Sequence, residues 1–318
     1  MLLNRLLLFI MALCLGSLLV RMHIPIPFLL GGLLTALLCK TLTHRSDVSW
    51  PKQWREYALM VAGYGIGSTF TSDTWNNFLA ELVGVAEATI VILAASMVLA
   101  VITAKLAREN LKSCVMGMLP GGMTLTMLLC EDDKDVNPNV VMVMQILRLL
   151  GVVITVPFLV IWLLHAQVTG SSVALPNHGG IHWLVVVPLS VLGSFIAQKI
   201  HMPTPRLLGP ILATAAFDVL AGSVQPVPFW LMAAAQASIG LFMGMQLDAD
   251  RLIKTKKMVP YVLIGTAILI VVSIGMANVL AARYGFSLVT AFLAMAPGGI
   301  AEMSLAGMSM GENVSIIL

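Results

Sequence analysis

The sequence predicts an all-α polytopic membrane protein built from two similar halves in opposite orientation. Three observations support this: the composition, a register that recurs in the second half, and loop charges that reverse between the halves. Of the 318 residues, 59% are hydrophobic and only 10% are charged, whereas a soluble domain carries about 25% charged residues. Membrane helices are expected because they satisfy their own backbone hydrogen bonds in lipid.

The charged residues and the cysteines exclude several other classes of protein. The net charge of +3 does not indicate a nucleic-acid partner, because the basic residues are dispersed among loops that flank apolar segments. The cysteine spacing matches neither a C-x-x-C motif nor a secreted disulfide frame. The first apolar segment has no small-residue cleavage signature, so it is predicted to be a membrane helix and not a signal peptide. We interpret the cysteines as small packing residues: Cys14, Cys39, Cys114 and Cys130.

Apolar segments fill the first half of the chain. A membrane helix needs about 20 apolar residues. The longest polar stretch, 41–56, is too short for a soluble domain. Six segments can be delimited, at about 2–20, 27–42, 57–70, 78–104, 113–130 and 140–164.

The order of motifs in the first half returns in the second. The stretch 23–31, His-Ile-Pro-Ile-Pro-Phe-Leu-Leu-Gly, matches 201–209, His-Met-Pro-Thr-Pro-Arg-Leu-Leu-Gly, at an offset of 178. Three further landmarks match at an offset of 177. Several landmarks in one register indicate an internal duplication. The matched residues are Gly63 and Gly67 with Gly240 and Gly244, Asp73 with Asp250, and Pro120-Gly121-Gly122 with Pro297-Gly298-Gly299.

Loop charges indicate that the two copies have opposite orientation. Basic residues mark cytoplasmic loops. In the first half, the loops at 40–55 and 105–112 are basic and 71–77 has no Lys or Arg. In the second half, the counterpart of the neutral loop, at 251–257, is basic, and the counterpart of the first basic loop, at about 218–229, has no Lys or Arg. Inverted repeats of this kind are typical of secondary transporters.

Inversion requires an odd number of crossings in each half, so one of the six segments should not cross. The Pro-Gly-Gly segment is the best candidate, because proline and glycine interrupt a helix. We predict about five transmembrane helices per half, each half with one broken or re-entrant Pro-Gly-Gly segment. The protein is expected in the cell (inner) membrane with a cytoplasmic N-terminus. The predicted divisions are repeat one at 1–165, a linker at 166–180 and repeat two at 181–318.

These motifs together resemble the AbrB-type membrane protein family, which has a duplicated membrane domain. The resemblance rests on the doubled P-x-P-x-L-L-G, the glycine-rich third span, the doubled Pro-Gly-Gly, and Gln145-x-x-Arg148 in the following span. Members carry inconsistent names, including ammonia monooxygenase and AbrB family regulator. The layout is also similar, more distantly, to sodium-coupled symporters with two inverted halves, each with a re-entrant hairpin.

One feature departs from the family pattern, which places Gln and Arg in the last helix of each half. At an offset of 177, the counterparts of Gln145 and Arg148 would fall at positions 322 and 325, beyond the 318 residues of the sequence. The expectation is that the final helix is truncated or short.

The two breaks are the predicted binding region. Half-helix N-termini offer backbone N–H groups and partial positive charge to an anion, and unwound carbonyl groups suit Na+. The alternative interpretation is two ordinary loops with turn chemistry. The predicted solute- or ion-binding residues are Pro120, Gly121, Gly122, Thr124, Thr126, Gln145, Arg148, Pro297, Gly298, Gly299, Glu302 and Ser304.

Three charged residues in apolar sequence each have two interpretations. Glu302 either binds a proton or cation, or excludes anions, as intramembrane carboxylates usually have a function; otherwise it lies near a helix end and reaches water. Arg148 either binds a carboxylate or phosphate or is the structural partner of the carbonyl-rich broken segment. Glu87 is either a structural charge pair or a proton carrier.

Other polar residues have structural interpretations. Asp248 and Asp250 precede a basic loop and are expected to cap or anchor it. His178 and His182 have i,i+4 spacing, but the intervening Gly179-Gly180 argues against a helix and therefore against a metal site. The 21 methionines are interpreted as packing residues.

The favoured function is secondary active transport of a small organic solute, with an anion as one option, coupled to Na+ or protons. No G-x-x-x-x-G-K-[ST] loop is present, so an ATP-driven pump is not predicted from this chain. No enzyme activity, cofactor or nucleic-acid partner is expected. The expected partners are the solute, the lipid bilayer and a second copy in a homodimer. The alternatives are a membrane regulator or sensor that influences gene expression, and a subunit of a membrane monooxygenase.

Overall fold

The structure is a computed structural model of the chain. It describes residues 2–43, 49–70, 72–120, 126, 129–130, 133, 135–164, 183–221, 224–247, 249–312 and 314–317. Within these ranges, side chains are described except at positions 2, 43, 72–82, 183–185, 221, 249 and 250.

The described ranges form fourteen helices and no sheet. The first half contains α1 (Leu2–Arg21), α2 (Pro27–Thr43), α3 (Lys52–Gly67), α4 (Ser72–Ala107), α5 (Leu111–Met118) and α6 (Pro138–Leu164). The second half contains α7 (Trp183–Lys199), α8 (Pro205–Ala221), α9 (Phe229–Gln246), α10 (Ala249–Lys254), α11 (Val259–Tyr284), α12 (Leu288–Met295), α13 (Ile300–Ser309) and α14 (Val314–Ile317).

Four helices are long and apolar enough to cross a membrane: Leu3–Arg21, Val83–Ala107, Pro138–Leu164 and Val259–Tyr284. Two shorter apolar helices lie at Pro27–Leu42 and Val186–Lys199. Large apolar side chains on these helices are exposed, for example Trp162 and Val271. An exposed apolar belt of this extent needs lipid contact, so the all-helical membrane class predicted from composition is confirmed at this level.

The two His-x-Pro-x-Pro turns share an unusual backbone. His23 and His201 have φ of 56° and 57°, and Ile26 and Thr204 have φ of 45° and 44°. Positive φ is rare for residues other than glycine, and rarer for β-branched ones. The next residue, Pro27 or Pro205, is the first residue of α2 or α8, where the missing N–H group costs nothing. The motif therefore works as a sharp turn into a helix.

Six helices pack into one layer, which we call the scaffold layer: α1, α2, α3, α7, α8 and α9. Its most extensive contacts pair α2 with α9, α7 with α8, α1 with α2, and α3 with α8. Two of these pairs join helices from different halves of the sequence. The scaffold layer is thus interleaved, with neither half of the chain forming it alone.

Glycines bring the interleaved helices into backbone contact. A Cβ atom added to Gly63 or Gly67 of α3 would lie 2.6 or 2.7 Å from the carbonyl oxygen of Leu207 or Ile211 of α8. Residue numbers increase in the same direction along both helices, from Gly63 to Gly67 and from Leu207 to Ile211, so α3 and α8 are parallel. Close approach of small residues is the usual basis of helix pairing in membranes.

The second pair of interleaved helices, α2 and α9, is built in the same way. A Cβ atom on Gly240 of α9 would overlap the carbonyl oxygen of Leu29, and one on Gly244 would lie 2.7 Å from that of Leu33. At the far end of the pair, Lys40 Nζ donates to the carbonyl oxygen of Met245, 2.6 Å away. Helices α2 and α9 therefore also run in the same direction.

The remaining large helices form a second layer, the hairpin layer: α4, α5, α6, α11, α12, α13 and α14. Helices α4, α5, α6 and α11 pack side by side, and α12 packs on α11. Between the layers, the helix contacts are sparser: α3 packs on α13, and α9 packs on α6. The short helix α10, which belongs to neither layer, also packs on α6. We call this interlayer boundary the seam.

Candidate functional site

The first Pro-Gly-Gly segment begins where α5 ends. Helix α5 stops at Met118, and Leu119 and Pro120 follow in extended conformation or without regular structure. Two side chains of α6 donate to its final turn: Arg148 Nη1 to the carbonyl oxygen of Met118 at 2.8 Å, and Gln145 Nε2 to that of Met116 at 3.0 Å. The last carbonyl groups of a helix lack partners within the helix and carry partial negative charge. Arg148 therefore stabilises the broken end of α5.

The second break has a similar layout with different chemistry. Helix α12 stops at Met295, and α13 begins at Ile300 after the extended residues Ala296 and Gly299. The carbonyl oxygen of Met295 accepts a hydrogen bond from Ser273 Oγ of α11 at 2.9 Å. A neutral hydroxyl thus occupies the role that a guanidinium has at Met118.

The first broken segment returns to the place where it starts. Lys112 Nζ, in the first turn of α5, lies 2.8 Å from Asp133 Oδ2 and 2.9 Å from Asp135 Oδ2. Asn110 caps α5 through Lys112 N–H and also donates to the carbonyl oxygen of Asp135 at 2.9 Å. The Lys112 hydrogen bond and the Asp135 backbone N–H hold the pKa of Asp133 below its ordinary value. Residues 110–112 therefore lie at the same level as Asp133 and Asp135.

The second broken segment is closed at corresponding positions. Ser287 caps α12 by accepting from Thr290 N–H at 3.0 Å, and its hydroxyl also donates to Glu312 Oε2. Thr290 Oγ1 donates to the same carboxylate oxygen at 2.5 Å. Ser287 and Glu312 correspond to Asn110 and Asp135 at the offset of 177. In both segments the start and the return therefore meet, and the Pro-Gly-Gly break lies between them in the sequence.

Glu302 lies at the tip of the second segment and is only 6% exposed. It is the third residue of α13, and a Cβ atom added to Gly299 would overlap its Oε2 atom. The carboxylate thus folds back over the N-terminus of its own helix, where negative charge is favourable. It accepts a hydrogen bond from its own backbone N–H and lies within electrostatic range of the Arg55 guanidinium of α3.

Several buried polar atoms have no hydrogen-bond partner within the described part of the protein. They lie on α6, α9 and α13, the helices whose contacts form the seam together with α3. Arg148 is 4% exposed, and Ser304 is fully buried. Unpaired polar atoms in the interior cost about 1–3 kcal/mol each, so such a group is a candidate ligand-binding set. The atoms are Gln145 Oε1, Arg148 Nε, Gln236 Oε1 and Ser304 Oγ.

A cavity of about 230 Å³ brings the two breaks together. Pro120 lines it from the first half, Pro297 and Gly298 line it from the second, and a face of α4 that includes Ile92 closes one side. Arg148, Gln145, Glu302 and Ser304 are not among its lining residues. The structure therefore places Pro120, Pro297 and Gly298 at this cavity and the other described site residues outside its lining.

The counterpart of this cavity in the first half is filled. Cys114 and Met118, which correspond to the lining residues Ala291 and Met295, pack in one buried cluster with Val140 and Met144 of α6. The face of α12 that lines the cavity thus corresponds to the face of α5 that α6 covers in the first half. The unpaired polar atoms at the seam are consequently the stronger indication of a binding site.

Some residues predicted from sequence lie outside the described ones. These are Gly121, Gly122, Thr124, Asp248, His178, His182 and the linker 166–180. Only the backbone of Asp250 is described, and Thr126 is half-buried. Glu87 Oε2 lies 2.8 Å from Arg283 Nη1, and both side chains are largely exposed, which is the arrangement of a structural charge pair.

Sequence reasoning missed Arg55 and Gln236, and it missed the contacts that close the two segments. The register contained a usable signal for the closing contacts, because Asn110 with Asp135 and Ser287 with Glu312 recur together at one offset. Gln236 has Leu59 as its counterpart, so the register offers no signal for it. In the described part of the chain, no three His, Cys, Asp or Glu side chains group as metal ligands.

Comparison with known proteins identifies one family. The sequence model described as "Transition state regulatory protein AbrB" matches residues 3–318. The "Uncharacterized protein YhjN" of Bacillus subtilis (strain 168) is 23% identical over 283 residues, which cover 84% of this chain and 73% of the relative.

A second relative is the "Putative regulator AbrB" of Escherichia coli (strain K12). It is 24% identical over 204 residues, which cover 64% of this chain and 58% of the relative. The matched region thus spans little more than half the length of that protein. Of the two names, only that of the E. coli protein mentions a function, that of a regulator.

Proposed function

The chain belongs to the AbrB family, which it matches over residues 3–318, and from this premise we propose that it is a secondary active transporter of a small organic solute, coupled to Na+ or protons. The observation that carries the proposal is the set of unpaired buried polar atoms on α6, α9 and α13, three of the helices that meet at the seam. Buried polar groups without partners are retained at functional sites, where a ligand completes their hydrogen bonds. The proposal assigns no catalytic residue and no cofactor.

The layered packing supports alternating access. A carrier must expose one site to each side of the membrane in turn, usually by moving one helix bundle against another. Extensive contacts lie within the scaffold and hairpin layers, whereas contacts between them are sparse. The two layers share one buried apolar cluster that includes Ile66 and Ile239 on one side and Val153 on the other, so a shift exchanges one set of apolar contacts for another. We propose that the hairpin layer moves and that the solute binds at the seam.

The glycine contacts support an inverted repeat. Helices α3 and α8 run in one direction, and α2 and α9 also run in one direction. Helices α8 and α9 are consecutive and joined by a short connection, so in a membrane they run in opposite directions. Because α2 is parallel to α9, α2 is antiparallel to α8, its counterpart in the second half. We propose that the N-terminus is cytoplasmic, because Lys40, Lys52 and Arg55 then lie on the side favoured by basic residues, and that the protein resides in the cell (inner) membrane.

The closed bases of both broken segments support re-entrant hairpins. Lys112 with Asp133, and Ser287 with Glu312, join the start and the return of each segment. A crossing helix would separate such residues by about 30 Å, the thickness of the hydrocarbon core. The proposed arrangement has five crossings in each half, with the Pro-Gly-Gly tips inside the membrane.

The polar atoms also suggest the class of solute. The two amide oxygens, Gln145 Oε1 and Gln236 Oε1, accept hydrogen bonds. Ser304 Oγ both donates and accepts, and Arg148 Nε donates from a positively charged group. A small solute with a carboxylate and a donor group, such as an amino or hydroxy acid, fits this set. A second copy of the chain is proposed as partner in a homodimer, by analogy with related architectures.

The test begins with purified protein in nanodiscs and a thermal-shift screen of carboxylate, amine and neutral metabolites, with Na+ or K+ as the cation. Solutes that raise Tm are then assayed for uptake into proteoliposomes under a Na+ or a proton gradient. We expect accumulation with one gradient, lost in Gln236→Leu and kept in Gln198→Leu, whose side chain is exposed. Absence of uptake for every binding solute would reject the transporter.

The name of the E. coli relative favours one alternative, a membrane regulator that influences gene expression. A transporter changes expression indirectly, through the solute level. A deletion strain separates the two: an expression phenotype that disappears when the solute is removed from the medium indicates transport, and one that persists indicates a regulator. Stoichiometric copper or iron in purified protein would instead favour the monooxygenase subunit.

A further inference from the structure

Glu302 has no close partner of opposite charge. Its carboxylate is buried at the start of α13, and no ion pair within 4.0 Å involves it in the described part of the chain. A buried carboxylate without an ion pair or bound cation is costly, especially within a membrane. We therefore expect the Glu302 carboxylate to be neutralised by a proton or by a bound cation.

Arg55 is the charged group that attracts Glu302 most. It is in the first turn of α3 on the scaffold layer, while Glu302 is on the hairpin layer, so the attraction acts across the seam. The Arg55 guanidinium stacks over the Phe242 ring at 4.9 Å. Its neighbour Glu56 is within 3.5 Å of Arg206 and 3.9 Å of Lys52. Arg55 itself makes no ion pair within 4.0 Å in the described part of the chain, and of the two carboxylates that attract it, Glu302 acts more strongly than Glu56.

The other charged groups around Glu302 can be stated element by element. Helix α13 packs on α3, α6, α12 and α14. Helix α3 contributes Lys52, Arg55 and Glu56, and α6 contributes Arg148, while α12 and α14 carry no ionisable side chain. Glu312 lies beyond the opposite end of α13, bound to Ser287. Of these charged groups, Arg55 is the one that attracts Glu302.

The two hairpin tips differ in a way that separates their roles. The counterpart of Glu302 is Leu125, at the offset of 177. The N-terminus of α13 is already covered by the Glu302 carboxylate, so an anionic solute is repelled there. A cation is attracted to the same place. The guanidinium of Arg148, by contrast, lies at the end of the first hairpin's leading helix.

We propose that Glu302 carries the coupling cation, a proton or Na+, and that Arg55 is the counter-charge that Glu302 faces when the cation has left. This rests on the proposed transport function and names its coupling residue. A proton taken up on one side adds to a carboxylate oxygen and is released on the other; Na+ would instead bind to the carboxylate. Either cation neutralises Glu302, removes its attraction to Arg55 across the seam, and so frees the hairpin layer to move.

The experiment measures cation binding to the full chain in nanodiscs, with protons or Na+ as the probe. Tm is recorded in a pH series in K+ and in a series in which Na+ replaces K+ at constant ionic strength. Stabilisation by a ligand that binds only the folded state gives its apparent affinity. The variants are Glu302→Gln, Arg55→Gln and the matched control Glu87→Gln, whose carboxylate pairs with Arg283 at the surface.

We expect wild type to respond to one of the two cations, Glu302→Gln to lose the response, and Glu87→Gln to keep it. Arg55→Gln should bind the cation about three- to tenfold more tightly, because a positive neighbour no longer competes. The proton and Na+ series identify the cation. A wild-type response that persists in Glu302→Gln, or no response to either cation, would overturn the assignment.

Two further results keep the outcome decisive. If Glu302→Gln does not fold, the comparison of Arg55→Gln with wild type decides, and an unchanged cation affinity rejects the proposal. Solute exchange between proteoliposomes loaded on both sides needs no ion gradient. If solute exchange occurs and no cation changes Tm, the transport function is supported and the proposed role of Glu302 is rejected. If a cation binds through Glu302 and no solute exchanges, Glu302 is supported as a cation site and the transport function is rejected.

Discussion

Arg148 donates a hydrogen bond to the carbonyl oxygen of Met118, 2.8 Å away, and so connects the long helix α6 to the broken end of α5. The guanidinium satisfies a carbonyl group that the helix leaves unpaired. It also places positive charge at the negative end of a helix. The same side chain retains an unpaired Nε atom. One residue thus holds the first hairpin tip and offers a donor beside it.

Arg148→Met should loosen the end of α5 without unfolding the protein. Methionine keeps much of the volume, and the lost charged hydrogen bond is worth about 1.5–3 kcal/mol. Global stability should change less, because the variant no longer buries a guanidinium, which costs several kcal/mol. Hydrogen exchange of the amides at 116–119 is expected to be roughly 10- to 100-fold faster. Arg283→Met, at an exposed ion pair, is the control and should leave those amides unchanged.

Gly240→Ala should strongly destabilise the scaffold layer. The new methyl group would overlap the carbonyl oxygen of Leu29, and a backbone atom cannot move aside cheaply. Overpacking of this kind costs about 1–3 kcal/mol. The control is Gly275→Ala on α11, where nothing lies within 4 Å of the added atom. Helix propensity predicts a gain there of up to about 1 kcal/mol. Equal effects of the two substitutions on Tm would contradict the described α2–α9 contact.

The sequence predicted local features of the fold and the candidate site, but not the contacts between distant parts of the chain. The breaks at Pro120 and Pro297 were predictable, because proline and glycine act on the residues next to them. The partner of Gly63 was not, since a glycine encodes only that something approaches closely, and here Leu207 does so from the other half of the chain. Arg55 was missed for the same reason. It is one of several basic residues in the predicted loop 40–55, and its significance depends on Glu302 across the seam.

The proposed re-entrant hairpins predict which residues share a side of the membrane. With the four native cysteines replaced, Lys105→Cys and Asp135→Cys should react with an impermeant thiol reagent from the cytoplasm only. Arg283→Cys and Glu312→Cys should react from the outside only. Right-side-out and inside-out vesicles give the two accessibilities. Labelling of positions 105 and 135 from opposite sides would mean that the first Pro-Gly-Gly segment crosses the membrane.

Acid should release the base of the first hairpin. The Lys112 hydrogen bond holds the pKa of Asp133 below its ordinary value, so the ionised carboxylate favours the folded state. This contribution is fully present above the pKa of the unfolded carboxyl, about 4, and is lost as pH falls through the lower folded value. Asp133→Asn should lower Tm slightly at neutral pH, and the deficit should vanish under acid. Equal Tm values of Asp133→Asn and wild type at neutral pH would contradict the described contact between Lys112 and Asp133.

Ser304→Ala separates stability from function at the seam. The Ser304 hydroxyl is fully buried and has no partner within the described protein, and an unpaired buried group costs about 1–3 kcal/mol. Removing it should therefore raise Tm, while the Tm shift produced by a bound solute becomes smaller. Ser309→Ala on the same helix is the matched control, because its hydroxyl donates to the carbonyl oxygen of Ala306 at 2.8 Å and its loss should not stabilise. If Ser304→Ala instead lowers Tm and leaves the solute response intact, the hydroxyl is already satisfied and does not bind the solute.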